Sequence, residues 1–302
     1  MSRDTQAVIS ISQTVIAALM VGGLLTLMVF VNPVQNSTDD RIRVIVSILP
    51  QKEFAEAVGG EHVSVTVMVP PGSEPHTYSP TPAQMVNLTN ADLYFEVGSN
   101  LEFELTWMNR FVELNGRMLV VNGAKGVHLI GSGGSEAGLK DPHIWLSPRN
   151  AETMVLNLFH GLLKIDPKNA SDYENNTMSY LKRLDSLDGN ISTTLAPVEN
   201  KNLLVFHPAW GYFADEFGLT QIAIEAQGKD PTALELADIV NYAKGYNVSV
   251  VFAEPQFSTR LAEEVAKEIN GVVVIVDDLA EDYVNNLQYV ADRIAEGLSG
   301  HA

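Results

Sequence analysis

The chain has 302 residues, enough for two domains of ordinary size. Its 37 acidic residues outnumber 19 basic ones for a net charge of −18, which argues against nucleic acid as a partner and favours a cation as ligand. There is no cysteine, so we expect no disulfide, thiolate metal site, cysteine nucleophile or cysteine-linked lipid anchor.

The first predicted element is an apolar segment at the start of the chain. No charged residue occurs from Thr5 to Thr38, and the 25 residues from Ala7 to Val31 exceed the roughly 20 needed to cross a bilayer. A cleaved signal peptide has a shorter apolar core of about 7–15 residues. We therefore expect residues 1–40 to comprise an uncleaved membrane helix and a polar joint, with a signal segment as the alternative.

The charges that flank this segment bear on its orientation. Only Arg3 precedes it, whereas Arg41, Arg43 and Lys52 follow it, and this count alone would place the body of the protein inside the cell. The function inferred below places the body outside. Six Asn-x-Ser/Thr sequons are compatible with glycosylation of an exposed surface.

Strands and helices alternate in residues 41–169, which predicts a parallel sheet covered by helices. The predicted strands are Ile42–Ile48, Val63–Val69, Asp92–Val97 and Met118–Val121. The predicted helices are Gln51–Val58, Pro82–Leu88, Glu102–Leu114 and Pro148–Lys164. Residues 122–141 are rich in Gly and Ser and indicate a flexible loop before the last helix.

One long helix follows, and then the alternation is repeated. Apolar residues at helical spacing over Ala170–Leu195 predict a linking helix within residues 170–198. In residues 199–302 the predicted strands are Asn202–Phe206, Leu219–Ile224, Val248–Ala253 and Val272–Val276. The predicted helices are Ala209–Phe217, Thr232–Tyr246, Thr259–Ile269 and Tyr283–Leu298. The fold class is α/β, with two parallel-sheet lobes joined by a rigid helix.

Three histidines and one aspartate occur near the ends of strand-like runs. His76, His143, His207 and Asp277 are separated by 67, 64 and 70 residues, so no local zinc finger could gather them. In open parallel sheets, however, ligands bind beyond the carboxyl ends of the strands. Three imidazoles and a carboxylate suit a borderline transition metal, zinc first. We therefore expect a metal site between the lobes.

The residues beside two of these histidines support the same interpretation. Five prolines surround His76 in PPGSEPHTYSPTP, and one proline lies on either side of His143 in DPHIWLSP. Proline restricts the backbone, so both loops are held in place before a metal arrives. Asp141 and Glu74 are each placed to accept the free N–H of a ligating ring.

Several motifs in order resemble one family over residues 41–302. These are PPGSEPHTYSPTP, DPHIWLSP, FHPAWGYFADEFGL, FAEPQFS and a strand-ending Asp before Leu279. The chain resembles the solute-binding receptors of zinc and manganese ABC transporters. The resemblance implies a metal held between two lobes by His76, His143 and His207, and delivery of that metal to a membrane permease with its ATPase. Manganese receptors of this family have Glu at the position of His207, so the resemblance favours Zn²⁺ over Mn²⁺.

The sequence departs from the family pattern at two places. The family has Asp-Pro-Leu where this chain has Asp277-Asp278-Leu279, so Asp277 is the fourth ligand by alignment, while Asp278, Glu74 and water remain alternatives. The loop before Asp141 contains only His128, whereas many zinc receptors have a His-rich loop there. We expect no catalytic residues. The alternatives are Mn²⁺ in the same role, a zinc-dependent hydrolase, and a surface adhesin whose metal only joins the lobes.

Overall fold

Two parallel β-sheets organise the chain in a computed structural model that describes residues 40–131, 140–225 and 231–300. Both sheets belong to one compact unit, Arg41–Ala302. The predicted membrane helix at Ala7–Val31 lies outside the described residues. Within the described ranges, no helix combines the length and the apolar character needed to cross a membrane.

The first lobe is a four-stranded sheet with order β2-β1-β3-β4 and parallel pairing throughout. Its strands are Ile42–Val46 (β1), Val63–Val67 (β2), Leu93–Glu96 (β3) and Leu119–Asn122 (β4). Its helices are Leu49–Gly59 (α1), Pro82–Leu88 (α2), Glu102–Leu114 (α3) and Pro148–Ile165 (α4). Most strands end one or two residues before the predicted limits, because the chain turns into the loops that carry the polar residues.

The linking helix α5 spans Ala170–Leu195. Its buried residues recur at helical spacing and include Tyr173, Tyr180, Leu187 and Ile191. This stripe packs against α1, α4 and the last helix of the chain. The long helix therefore lies against elements of both lobes.

The second lobe repeats the architecture of the first, with strand order β6-β5-β7-β8. Its strands are Asn202–Val205 (β5), Thr220–Ala223 (β6), Val250–Ala253 (β7) and Val272–Ile275 (β8). Its helices are Gly211–Phe217 (α6), Ala233–Gly245 (α7), Arg260–Glu268 (α8) and Tyr283–Leu298 (α9). The predicted α/β class with two parallel-sheet lobes and a helix between them is confirmed.

Side chains in the sequence define where two helices beside the cleft begin. The Thr81 side chain accepts a hydrogen bond from Gln84 N, and Pro82 occupies the first turn of α2. Ser147 Oγ accepts from Asn150 N at 3.0 Å at the start of α4. Because α2 and α4 follow the loops that carry His76 and His143, these caps fix where each loop ends.

The main hydrophobic core is continuous through both lobes. It includes Phe95 of the first sheet, Leu187 of α5, and Val205 and Phe252 of the second sheet. A smaller separate cluster packs α7 and α8 against the other face of the second sheet. Since apolar burial stabilises by about 25 cal/mol per Å², separating the lobes along the main core is costly.

Candidate metal site

The three predicted histidines lie together at the carboxyl ends of the strands. One ring nitrogen from each of His76, His143 and His207 lies within 4.8 Å of the others. Among the residues that the structure describes, this is the one group of three or more potential metal ligands. Their ring centroids are 5.1 to 5.5 Å apart. The rings thus meet at one point although the residues are far apart in sequence.

Each histidine reaches this point from a different loop. His76 lies between β2 and α2, His143 precedes the turn Ile144–Leu146 that leads into α4, and His207 follows β5. His143 and His207 are buried, whereas the side chain of His76 is 22% exposed. Two ligand positions are therefore enclosed and the third lies at the cavity mouth.

A carboxylate contacts the Nδ1 atom of every ring. Asp141 Oδ1 lies 2.8 Å from His143 Nδ1, Glu225 Oε2 lies 2.9 Å from His207 Nδ1, and Glu102 Oε2 lies 2.5 Å from His76 Nδ1. Asp141 thus contacts the Nδ1 atom of His143, as expected for a carboxylate that accepts the free N–H of a ligating ring. Glu74 instead accepts the backbone N–H of His76 at 2.7 Å.

These contacts determine the tautomers of the buried pair. A carboxylate accepts hydrogen bonds, so Nδ1 of neutral His143 and of neutral His207 carries the proton and each Nε2 presents a lone pair. The two Nε2 atoms lie 3.2 Å apart. Two facing lone pairs repel each other unless a proton or a metal cation lies between them. Tetrahedral zinc with bonds of about 2.0–2.1 Å would place its nitrogens about 3.3 Å apart, close to this distance.

Further contacts hold the His207 ring. Phe257 stacks on it with ring centroids 4.8 Å apart. Glu254, fully buried, accepts from the backbone N of His207 at 3.4 Å and from Trp210 Nε1 at 2.9 Å. Glu254 therefore fixes the turn after β5.

Asp277 and Asp278 occupy different environments. Asp277 Oδ1 accepts from Leu279 N at 2.9 Å and from Gln256 Nε2 at 2.8 Å, and Asp277 does not line the cavity around the histidines. Asp278 is buried and lines that cavity, and its Oδ1 has no hydrogen-bond partner among the described residues. Asp278 is therefore the aspartate that lines the cavity, whereas Asp277 Oδ1 is engaged by two donors. The assignment of Asp277 as fourth ligand stays a prediction.

The pKa values of these groups reflect burial and mutual charge. Burial raises the pKa of Asp278 to about 6, and the charge of Asp277 adds to the effect. Burial lowers the pKa of His207, which favours the neutral, metal-binding imidazole, although Glu225 opposes the shift. For His76, burial lowers the pKa, but the hydrogen bond and charge of Glu102 outweigh it and the pKa is raised.

Hydrogen bonds between the lobes hold the loops of the site. Trp145 Nε1 donates to the backbone oxygen of Asp278, and Tyr283 donates its hydroxyl to the backbone oxygen of Trp145. On the other side of His143, the Tyr212 hydroxyl donates to the backbone oxygen of Asp141 at 3.0 Å. A Cβ at Gly211 would lie 2.4 Å from Asp141 Oδ2, so any other residue there would displace the carboxylate that contacts His143.

Sequence reasoning did not find Glu102, Glu225, Gln256 or Phe257. A signal existed for Glu225, which follows the β6 strand by two residues, as the predicted ligands follow theirs. Glu102 opens α3 and is 26 residues from His76, so only the fold shows their contact. Of the four histidines given no ligand role, His62 contacts Asp172 at 2.8 Å, His128 and His160 are exposed, and His301 lies outside the described residues.

The fold and the site together define a two-lobed protein with a metal-binding cluster between its parallel sheets. The family model described as "ZnuA: Zinc-uptake complex component A periplasmic" matches residues 44–297. The chain belongs to this family.

Curated relatives and solved structures agree with this assignment. The chain is 32% identical to the high-affinity zinc uptake system protein ZnuA of Bacillus subtilis (strain 168) over 81% of its length and 80% of that protein's. It is 28% identical to the zinc-binding protein AdcA of Streptococcus pyogenes serotype M1 over 80% of its length, and spans 51% of AdcA.

A crystal structure of ZnuA superposes with a TM-score of 0.82 at 37% identity, covering 86% of this chain and all of that one. A ZnuA deletion mutant with zinc bound also gives a TM-score of 0.82, at 38% identity, covering 85% of this chain and 98% of the other.

Proposed function

We propose that this protein is an extracytoplasmic receptor that binds Zn²⁺ between its lobes through His76, His143, His207 and Asp278 and delivers it to the permease and ATPase of an ABC transporter. The lobes correspond to residues 41–169 and 199–302, with 170–198 as the linking helix. Membership of the ZnuA family supports the role.

The paired geometry of His143 and His207 carries the proposal. Both Nδ1 atoms are held by carboxylates, and the Nε2 lone pairs face each other at 3.2 Å in a buried site. A metal cation between the two lone pairs makes that arrangement favourable when both rings are neutral. Nitrogen ligands with one carboxylate suit zinc, and the related ZnuA structure contains zinc.

Asp278 is the better candidate for the fourth ligand. A buried carboxylate oxygen without a hydrogen-bond donor is costly, and coordination to a cation would offset that cost. A carboxylate in the fourth position also takes the place that a zinc hydrolase keeps for its nucleophilic water. The site therefore fits a receptor that holds and releases the ion.

Two features support the location. The matching family is described as periplasmic, and a relative from Streptococcus pneumoniae (strain ATCC BAA-255 / R6) is named a zinc-binding lipoprotein. In this chain, the apolar segment Ala7–Val31 would supply the attachment to the membrane that a lipid supplies there. The receptor would then lie on the outer face of the cell membrane.

Zinc titration of the purified full-length chain with a competing chelator tests the proposal. We expect one tight site per chain, and a loss in affinity of more than about 100-fold for His143→Ala, beyond the roughly 10–100-fold typical of changes to residues that only support a ligand. His160→Ala, on the exposed face of α4, is the matched control. Equal zinc binding by the His143 and His160 variants would refute the proposal.

A paired substitution tests the fourth ligand. Asp278→Asn should weaken zinc binding more than Asp277→Asn, because only Asp278 faces the cavity. The reverse order would assign the fourth position to Asp277.

Since copper binds such sites at least as well as zinc in vitro, the physiological metal is best read from the metal content of protein purified without chelator.

A further inference from the structure

The cavity beside the histidines contains a second oxygen atom that lacks a hydrogen-bond partner. Gln256 follows β7 and lines the cavity together with the three histidines and Asp278. Its Oε1 is buried and has no partner among the residues that the structure describes. A buried amide oxygen without a donor costs free energy, so its presence beside the three histidines requires an explanation.

The orientation of this amide is fixed by its neighbour. Gln256 Nε2 donates to Asp277 Oδ1 at 2.8 Å, and Asp277 Oδ1 also accepts from Leu279 N at 2.9 Å. An atom that accepts from a backbone N–H cannot offer a proton to the amide, so the amide nitrogen must face Asp277. The oxygen is therefore directed away from Asp277, and flipping the amide would place two acceptors against each other.

From these contacts we propose that Gln256 supplies its amide oxygen as a fifth donor to the bound metal ion, and that Asp277 is the residue that positions it. This inference rests on the proposed function, since it adds a donor to the same site. It also accounts for Asp277, which is adjacent to the proposed ligand Asp278 yet directed elsewhere.

An amide oxygen as fifth donor changes which ions the site accepts. Zinc in closed sites is almost always four-coordinate, whereas carbonyl and carboxylate oxygens suit Mn²⁺ and other hard cations. A nearby amide oxygen therefore increases the affinity of a three-histidine site for Mn²⁺ more than its affinity for zinc. Gln256 is accordingly a specificity-determining residue.

Substitution of Gln256 in the full-length chain tests the assignment. Gln256→Leu removes the donor, and Gln256→Asn keeps an amide but withdraws it by one methylene. Both should weaken Mn²⁺ binding by about tenfold or more, at the lower end of the range for residues that support a metal site, and change zinc binding less. Gln288→Leu is the matched control, because Gln288 Oε1 is also buried without a partner but its amide contacts Thr194 and Asp292.

Bound Co²⁺ gives a readout of coordination number that a general loss of stability would not produce. Visible absorption of Co²⁺ is weaker in five-coordinate than in tetrahedral sites. We expect the bands to intensify on Gln256→Leu and to remain unchanged on Gln288→Leu. Unchanged Co²⁺ spectra together with unchanged Mn²⁺ affinity in both Gln256 variants would overturn the assignment.

A double-mutant comparison tests the positioning role of Asp277. Asp277→Ala, which removes the oxygen that accepts from Gln256 Nε2, should by itself weaken Mn²⁺ binding and intensify the Co²⁺ bands as Gln256→Leu does. It should add nothing when combined with Gln256→Leu. A further effect of Asp277→Ala in the Gln256→Leu background would show that Asp277 does not act through Gln256.

The two proposals fail in different ways. If His143→Ala abolishes zinc binding while both Gln256 variants behave like the wild type, only the fifth donor is refuted. If His143→Ala leaves zinc binding intact, the ion is bound elsewhere and both proposals are refuted.

Discussion

Trp145 and Asp278 are joined across the two lobes by a hydrogen bond of 2.8 Å from the indole Nε1 to the backbone oxygen. Trp145 follows His143 by two residues, and Tyr283 donates its hydroxyl to the backbone oxygen of Trp145 at 2.7 Å. All three of Trp145, Asp278 and Tyr283 are buried. The contact therefore fixes one histidine loop relative to the proposed fourth ligand before any ion binds.

Replacing Trp145 with Phe should impair both stability and zinc binding. The change leaves the buried backbone oxygen of Asp278 without its donor, which costs about 1–3 kcal/mol of unfolding free energy. Zinc affinity should fall by about tenfold, because Asp278 loses its support. Urea unfolding and chelator competition measure the two effects. Trp107→Phe on α3, where the indole stacks on Phe111, is the control, and wild-type zinc affinity in the Trp145 variant would contradict the prediction.

Zinc affinity should decrease with acidity at a pH that Glu102 controls. Burial lowers the pKa of His76, but the hydrogen bond and charge of Glu102 outweigh burial and raise it above the ordinary value of 6.5. Protons therefore begin to compete with zinc above about pH 6.5 as the pH falls. In Glu102→Gln the midpoint of the affinity curve should move to lower pH.

Chelator competition at a series of pH values measures this midpoint. Glu113→Gln, an exposed residue on the same helix, provides the comparison. A midpoint that is the same in the Glu102 variant and the wild type would mean that Glu102 does not set the protonation of His76.

The metal-free protein should lose stability as the pH rises through the pKa of the buried Glu104 carboxyl group. Burial raises the pKa of Glu104 to about 7 from 4.5, against hydrogen bonds from Ser47, Gly98 and Val97. The unfolded chain ionises first, so stability is fully present below about pH 4.5 and decreases up to about pH 7. The shift corresponds to a loss of about 3 kcal/mol.

Glu104→Gln should flatten this dependence, because a glutamine does not ionise. Chemical unfolding of the metal-free protein at pH 5, 6, 7 and 8 measures the dependence of stability on pH. Glu113→Gln, which removes an exposed ionisable group from the same helix, is the control. Parallel curves for the Glu104 variant and the wild type would argue that Glu104 is already ionised in the folded protein.

Removal of zinc should lower the melting temperature without unfolding the protein. Each lobe has a sheet and helices of its own, and the main core does not include the three histidines. Zinc at 100 times its dissociation constant stabilises the fold by about 2.7 kcal/mol, which corresponds to about 5 °C for a protein of this size. Calorimetry and circular dichroism with and without chelator check this. Loss of secondary structure on chelation would indicate a metal that only joins the lobes.

The sequence predicted the architecture because its local signals agree with the fold. Apolar strand runs, Thr81 and Ser147 at helix starts, and the helical periodicity of Ala170–Leu195 each specify an element independently of the others. The meeting of the three histidines also followed from strand order, since parallel strands bring their carboxyl ends to one edge.

The choice between Asp277 and Asp278 did not follow from the sequence. Adjacent residues after a strand point in different directions, and which one faces the cavity depends on the turn. Here Leu279 N and Gln256 bind Asp277, and Trp145 holds the backbone at Asp278 from the other lobe. The contacts with Gln256 and Trp145 join residues 21 and 133 positions apart, which no local pattern contains.

The shared core of the two lobes has a consequence for recognition by a transporter. Lobes that share one hydrophobic core resist opening, so we expect almost the same outline for the empty and the loaded receptor. The side chain of His76 is 22% exposed and that of its partner Glu102 is 53% exposed, whereas the side chains of His143 and His207 are 5% and 6% exposed. A permease that distinguishes zinc-loaded from empty receptors would therefore have to detect the bound ion at the exposed rim beside His76.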